Sequence, residues 1–488
     1  MTAGRLGALL SPRTVAVVGA SPDLRIFRGR TLQVMLGHPY AGRIYPVSRS
    51  HAEIQGLRAY PSIAAIPEPV DLAVLIIPAE FVPDELERCA AAGVRAAMIL
   101  ASGFAETATP AGEQLQARVV AIAERHGMIV CGPNAEGYAN TAAALCPTFS
   151  PAVHHLSGPL VPPWRTRGHA AVVAQSGGMG FAMFDRGRAR ELPFSYIIST
   201  GNEACLETFE IVDHLLDDGR TDVFLLYVET IRDPPRFERV AARALAAGKP
   251  IIAVKIGKTA AGVRAARAHT GAIAGDLAAC QALFRRHGVI EVDDLDEMVD
   301  LAAAFSLHGD RLPAGPRVGI GSASGGGGGW LADACGAAGL TVPILDAATR
   351  VELDRIIPSY GSSQNPVDAT AQAIVSSGYA ELARRIAASD TIDAVIMIVS
   401  ARITASFERE QRQLAEVAQA SARPIVLWSY TLPSADTVRI VSQAGYPLFT
   451  SMQSCARAVA AMAHYRAARE RLRAPGAPVT EPSRPAGA

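Results

Sequence analysis

The sequence predicts an α/β protein built of three doubly wound domains, and three observations predict it. At 488 residues the chain is too long for one hydrophobic core and fits three domains of ordinary size. Short apolar runs such as Thr14-Val-Ala-Val-Val18 recur along it and alternate with segments of helical, amphipathic periodicity. Several of these runs pass directly into glycine turns. Continuous apolar strands that alternate with helices indicate parallel sheets covered on both faces.

The first unit, residues 1–140, opens with the strand at Thr14 and the turn Gly19-Ala20-Ser21. Further strands fall at Asp71–Pro78, Ala96–Gly103 and Met128–Asn134, with a helix over Val82–Ala92. Between about Tyr138 and Gly168 the chain is rich in Pro, His and Ser, the composition of a linker or an excursion loop. The second unit, residues 168–307, carries strands at His169–Gln175, Val223–Glu229 and Pro250–Lys255. Its turn Ser176-Gly177-Gly178-Met-Gly180 precedes a helix expected over Phe181–Arg190, and His269 lies on a loop leading to a helix over Asp276–Arg286. The third unit, residues 316–473, begins with Arg317-Val-Gly-Ile-Gly-Ser322 and the run Ser324-Gly-Gly-Gly-Gly-Gly-Trp330. Its later strands are Ala394–Ser400 and Pro424–Ser429, and its last helix spans Ser454–Arg473. Residues 474–488, rich in Pro, Ala and Gly, have the composition of a disordered tail.

Composition narrows the function. The 46 basic and 46 acidic side chains cancel, so no global field draws the chain to nucleic acid or to an anionic membrane, and any anion site must be local. Seven scattered cysteines without a Cys-x-x-Cys pair fit a reduced cytoplasmic protein without structural zinc. The first ten residues lack the apolar run of a signal peptide, and no later run is long enough to span a membrane.

In doubly wound sheets, ligands collect at the carboxyl ends of the strands, where glycine turns let phosphate approach helix N-termini. The turn at Gly19 does not complete Gly-x-Gly-x-x-Gly, and no Walker-type phosphate loop occurs. The Ser176 and Ser324 turns both follow strands and precede helices. Each has a plainer reading, in which glycine serves backbone geometry and Ser176 caps a helix at about 1 kcal/mol. Glu229 ends its strand at the ligand edge, as a helix-start carboxylate, as a surface partner of Arg232, or as a carboxylate that fixes an imidazole tautomer. His269 is flanked by Gly and Ala, which give an imidazole little to pack against and leave room for a phosphate or a moving loop. As a nucleophile it would carry a group on nitrogen.

Together these motifs resemble the NDP-forming acyl-CoA synthetase superfamily, which includes succinyl-CoA synthetase and the ADP-forming acetyl-CoA synthetases. The resemblance rests on Val15-Ala-Val-Val-Gly-Ala-Ser21, Gly42-Arg-Ile-Tyr-Pro-Val47, Pro69-Val-Asp-Leu-Ala-Val74, Ser102-Gly-Phe-Ala-Glu106, Gly132-Pro-Asn134, Gln175-Ser-Gly-Gly178 and Ala268-His-Thr-Gly-Ala-Ile-Ala-Gly275. It implies a Rossmann-like CoA-binding domain followed by two flavodoxin-like ligase domains. It implies His269 as the phosphohistidine, Glu229 as the carboxylate that orients it, and Ser176, Gly177 and Gly178 as the phosphate cradle. Gly19, Ala20, Ser21, Val47, Ser48, Ile77, Pro78, Ala101, Ser102 and Gly103 would line the CoA site.

The implied reaction converts acyl-CoA and phosphate to acyl phosphate and CoA. His269 then takes the phosphoryl group and passes it to a nucleoside diphosphate; Lys255, Lys258, Arg264 and Arg267 are either candidate counter-charges or an ordinary solvated face. Mg-ADP or Mg-ATP would bind an ATP-grasp domain on a separate β subunit in a hetero- or homo-oligomer, so no metal site is expected here. The chain departs from the family at Pro22–Gly29, which replaces a shorter glycine-rich turn, and at Ala135-Glu136-Gly137, where many relatives have Cys-Leu-Gly or Cys-Pro-Gly. Glu136 is then either a surface residue or one that faces the acyl group. The loop from Cys146 to Arg167, with Phe149, His154, His155 and Trp164, is a second candidate source of acyl specificity. Two other functions stay open: a CoA-binding sensor or scaffold without ligase activity, and an acyl- or carbamoyl-transferring relative that uses phosphate.

Overall fold

The computed structural model describes residues 2–264 and 277–473. His269, Arg267, Gly271, Gly275 and the tail 474–488 lie outside the described residues.

The described residues form three large, mainly parallel sheets and a small antiparallel pair, Glu53–Ile54 with Leu57–Arg58. The first runs in the order Arg43–Val47, Thr14–Val18, Leu72–Leu75, Ala96–Ile99, Ile129–Cys131. Its inner strands are buried along their whole length, because Val, Ala, Leu and Ile face helices on both sides. Helices Phe27–Leu36, Val82–Ala91 and Pro110–His126 make the crossovers. The last is delimited locally: the Thr109 hydroxyl accepts from the Gly112 amide, Pro110 opens the first turn, and Gly127 ends it at a left-handed φ of 60°.

The second sheet runs in the order Ile290–Glu291, Ile251–Lys255, Thr221–Val228, His169–Ala174, Phe194–Ser199, Tyr138–Asn140. Only the last pairing is antiparallel. Tyr138–Asn140, assigned to the first unit by sequence, is hydrogen-bonded as the edge strand of the second sheet. Gly137, at φ 101°, lets the chain pass there so closely to Pro147 that a Cβ would lie 2.1 Å from its carbonyl oxygen. The third sheet runs Val367–Asp368, Val318–Ser322, Ala394–Val399, Ile425–Ser429, Leu448–Phe449, all parallel.

Two helices begin earlier than periodicity indicates. The helix expected from Phe181 spans Gly177–Arg188, and the five glycines after Ser324 form the first turns of Gly325–Ala337 rather than a loop. Close packing explains the glycines in the first case. A Cβ on Gly180 would lie 3.0 Å from the Ala174 Cβ, and one on Gly187 would lie 2.5 Å from the Phe194 ring. Glycine lowers helix propensity by about 1 kcal/mol, so these starts are masked in sequence.

The sheets are fixed to one another by shared cores. Leu9, Leu32 and Cys131 of the first unit belong to one buried cluster with Ile198, Phe209 and Phe284 of the second. Phe181, Phe305 and Met298 share another with Leu331, Cys455 and Met462 of the third. Helix Leu295–His308 lies at that second junction, and its Asp300 side chain is 1% exposed and bonded to Arg190 Nε at 2.9 Å. Burial raises the Asp300 carboxyl to about 6, against the opposing pull of Arg190. A folded-state pKa above the unfolded value means that this group's stabilisation is full below about pH 4 and is lost as pH rises through about 6. In urea titrations, the stability of wild type relative to Asp300→Asn should therefore fall between about pH 4 and 6. A difference constant across that window would contradict the linkage.

Candidate active site

The carboxyl ends of the first sheet gather the glycine turns. Gly19, at φ 90°, sits against the next strand's exit, where a Cβ would lie 2.5 Å from the Ile76 carbonyl oxygen and 2.7 Å from Ile77 Cγ2. Its amide donates to the Val47 carbonyl at 3.0 Å. Gly103, at φ 113°, approaches Ala79, one residue beyond Pro78. The structure thus brings Gly19–Ser21, Val47–Ser48, Ile77–Pro78 and Ala101–Gly103 to one edge. The Gly103 amide is occupied, donating to Glu106 Oε1 at 2.6 Å. The longer turn after Ser21 folds on itself: Asp23 pairs with Arg25, and Gln55 Nε2 donates to the Gly29 carbonyl at 2.9 Å.

From that edge a chain of amides reaches the second sheet. The Ser102 hydroxyl donates to Asn134 Oδ1 at 2.9 Å, and Asn134 Nδ2 donates to Asn202 Oδ1 at 3.2 Å. Asn202 Nδ2 in turn donates to Glu106 and, at 3.0 Å, to Gln116. The Arg232 guanidinium donates to the Asn202 and Glu203 carbonyls at 2.7 and 3.1 Å.

Gln175 stands at the centre of the second sheet's carboxyl edge. Its Oε1 accepts from the Glu229 and Thr230 amides at 2.6 and 2.9 Å. Its Nε2 donates to Glu203 Oε2 at 2.8 Å and to the Thr230 carbonyl at 2.9 Å. Glu203 also accepts from the Thr200 hydroxyl and from the Thr208 amide and hydroxyl. Burial raises the Glu203 carboxyl, and these hydrogen bonds oppose the rise. The sequence reading missed Glu203 and Asn202 because it missed strand Phe194–Ser199, whose Tyr196-Ile-Ile run carries the signal. Thr-Gly-Asn-Glu203 is the turn that follows that strand.

Glu229 is 3% exposed at the end of strand Thr221–Val228, so its surface reading is excluded. Lys255 is buried behind it, its ammonium donating to the Glu229 carbonyl at 2.7 Å, and burial lowers its pKa. Lys258 is engaged by Glu291 and Asp293 at 2.8 and 2.9 Å, and Arg264 is exposed. Ser176 is the N-cap residue of the Gly177 helix by backbone geometry, yet its side chain makes no capping bond, so its plainer role is absent. The first turn of that helix meets Glu136: a Cβ on Gly177 would lie 2.8 Å from Glu136 Oε2 and 3.2 Å from the Ser199 hydroxyl. The Gly325 helix has a parallel arrangement, a Cβ on Gly325 lying 2.7 Å from Asp368 Oδ2. Among the described residues no group of three or more His, Cys, Asp or Glu side chains is placed to hold a metal ion.

Gln175→Leu would remove the acceptor of two buried amides and one of the donors to buried Glu203. It should destabilise the protein by about 2–4 kcal/mol, read as a lowered urea midpoint at unchanged slope. A change below about 0.5 kcal/mol would remove Gln175 from this central role.

Comparison with known proteins gives the family and the fold. Residues 13–140 match the CoA binding domain family, and residues 167–305 match the succinyl-CoA ligase like flavodoxin domain family. The α subunit of ADP-forming acetate–CoA ligase II from Pyrococcus furiosus is 35% identical over 368 residues, 75% of this chain and 77% of that one. ADP-forming acetate–CoA ligase I from Archaeoglobus fulgidus is 35% identical over 360 residues, which make up 74% of this chain but only 50% of the relative. The solved structure of the dinucleotide-forming acetyl-coenzyme A synthetase 1 of Ca. Korarchaeum cryptofilum, in complex with phosphate and ADP, matches with a TM-score of 0.81 at 27% identity. That match covers 95% of this chain and 97% of the other. No described helix is long and apolar enough to cross a membrane. With an α subunit of that kind matched over three quarters of both chains, this protein belongs to the NDP-forming acyl-CoA synthetase superfamily.

Proposed function

We propose that this chain is the α-type subunit of an NDP-forming acyl-CoA synthetase. It interconverts acyl-CoA, phosphate and NDP with a carboxylic acid, CoA and NTP. The observation that carries this reading is the junction itself, where the glycine turns of the first sheet, the uncapped Gly177 helix and the Glu229 strand end are joined by Ser102, Asn134, Asn202 and Gln175. CoA enters along Gly19–Ser21, Val47–Ser48, Ile77–Pro78 and Ala101–Gly103. Phosphate rests on the Ser176–Gly178 end of the helix, whose amides and dipole favour an anion.

A phosphate oxygen attacks the thioester carbon, the carbon–sulfur bond breaks, and CoA leaves with the proton. His269 attacks phosphorus of the acyl phosphate and releases the carboxylate. Phospho-His269 then passes its phosphoryl group to a nucleoside diphosphate. Buried Glu229 orients the ring by accepting from one nitrogen while the other reacts. Mg-ADP is assigned to a separate ATP-grasp β subunit. The Pyrococcus relative is named as a subunit α, and the Archaeoglobus relative is twice the matched length. Seven free thiols fit a reducing cytoplasm.

The test is phosphoryl labelling. Incubated with labelled acyl phosphate, or with an ATP-grasp partner and labelled ATP, the chain should gain an acid-labile, alkali-stable phosphate. His269→Asn should abolish the label, and Glu229→Gln should slow its appearance by about tenfold to a thousandfold. A label that persists in His269→Asn places the nucleophile elsewhere. A wild type that stays unlabelled with CoA, acyl group and partner supplied favours the sensor reading.

A further inference from the structure

The segment Gly132–Gly137 carries the chain from the last strand of the first sheet to the edge strand of the second. It crosses the space between the turns assigned to CoA and the Gly177 helix assigned to phosphate. Asn134 faces the first side through Ser102. Glu136 faces the other: its amide donates to the Ser199 hydroxyl at 3.0 Å, and its carboxyl borders Gly177 and Gly178. A thioester carbonyl attacked by phosphate must lie between those two sides, so the acyl chain must pass close to this carboxyl.

The surroundings of Glu136 are those of an acceptor with capacity to spare. It is half-buried, and the Ser150 hydroxyl donates to it. Among the described residues no Lys or Arg forms an ion pair with it. A carboxylate offers about four acceptor sites, so with respect to the described residues most of its capacity stays open to whatever enters beside it. Burial raises its pKa, and the buried charge would be relieved by a hydrogen-bond donor and worsened by an anion that the helix amides do not hold. The loop that supplies Ser150 also supplies Phe149, whose ring stacks at 4.3 Å on Phe27, where the longer first-sheet turn passes into helix Phe27–Leu36. Both departures from the family pattern, the longer turn and Glu136, are thereby tied to one loop.

We propose that Glu136 is a specificity-determining residue of the acyl site: it accepts a hydrogen bond from a hydroxyl or ammonium group on the acyl chain and disfavours acyl groups that end in a carboxylate. This rests on the ligase reading. A site built to hydrogen-bond a substrate group rejects the analogue that lacks it more strongly than an apolar pocket rejects an added methylene.

Calorimetric titration of the full chain without phosphate or nucleotide tests it, because thioesters then bind without being cleaved. The probes are CoA, propionyl-CoA, 2-hydroxy- and 3-hydroxypropionyl-CoA, 3-aminopropionyl-CoA and succinyl-CoA. Wild type should bind at least one hydroxyl- or ammonium-bearing ester about tenfold or more tighter than propionyl-CoA, with succinyl-CoA weakest. Glu136→Leu should bring these ratios toward one while leaving the affinity for free CoA unchanged. The near-isosteric Glu136→Gln should retain a preference for hydroxyl and lose one for ammonium, which separates the two donors. Ratios equal in wild type and Glu136→Leu overturn the role of Glu136 alone. A wild type that binds neither CoA nor any thioester overturns the ligase reading with it.

Discussion

Gln175 joins the carboxyl ends of three adjacent strands, and the geometry of the site follows from its four hydrogen bonds. It leaves strand His169–Ala174, receives the Glu229 and Thr230 amides from the next strand, and holds Glu203 from the turn after Phe194–Ser199. A side-chain amide suits this position because it both donates and accepts at one place, which neither a carboxylate nor an ammonium group can do. The network is buried, so each bond lost would leave a polar group without water to replace it.

Around this centre, glycine sets how closely elements approach. Gly19 lets the first turn touch Ile76 and Ile77, and Gly177 lets the helix start beside Glu136 and Ser199. A side chain at Gly177 would meet Glu136, so glycine is what allows this helix to begin so close to that segment. The shared cores then hold the sheets in fixed relation, with the amide chain Ser102–Asn134–Asn202 spanning the junction. Rigid placement of two sheet edges about one gap is what the proposed transfer between bound groups requires.

Much of this was legible in the sequence. Continuous apolar runs with glycine exits announced parallel sheets, and Gly19, Ser102, Ser176 and Glu229 fell at strand ends because strand ends are where such turns occur. The short or mixed strands were not legible. Tyr138–Asn140 contains Asn and follows a glycine, and Ile290–Glu291, Val367–Asp368 and Leu448–Phe449 are two residues long, too short for any period to register. Lys258 looked like a free counter-charge because its partners Glu291 and Asp293 lie more than thirty residues away in the chain.

The sequence by itself determined the fold class, the family and the types of residue available for chemistry, because strand periodicity, glycine turns and ordered motifs are local properties. Only the tertiary structure decided which of those residues meet. Glu203 and Gln175, 28 positions apart, share a hydrogen bond, and Glu136 stands against a helix that begins 41 residues later. The sheet pairings decide such meetings, and those pairings depend on the burial of the whole chain rather than on any one segment.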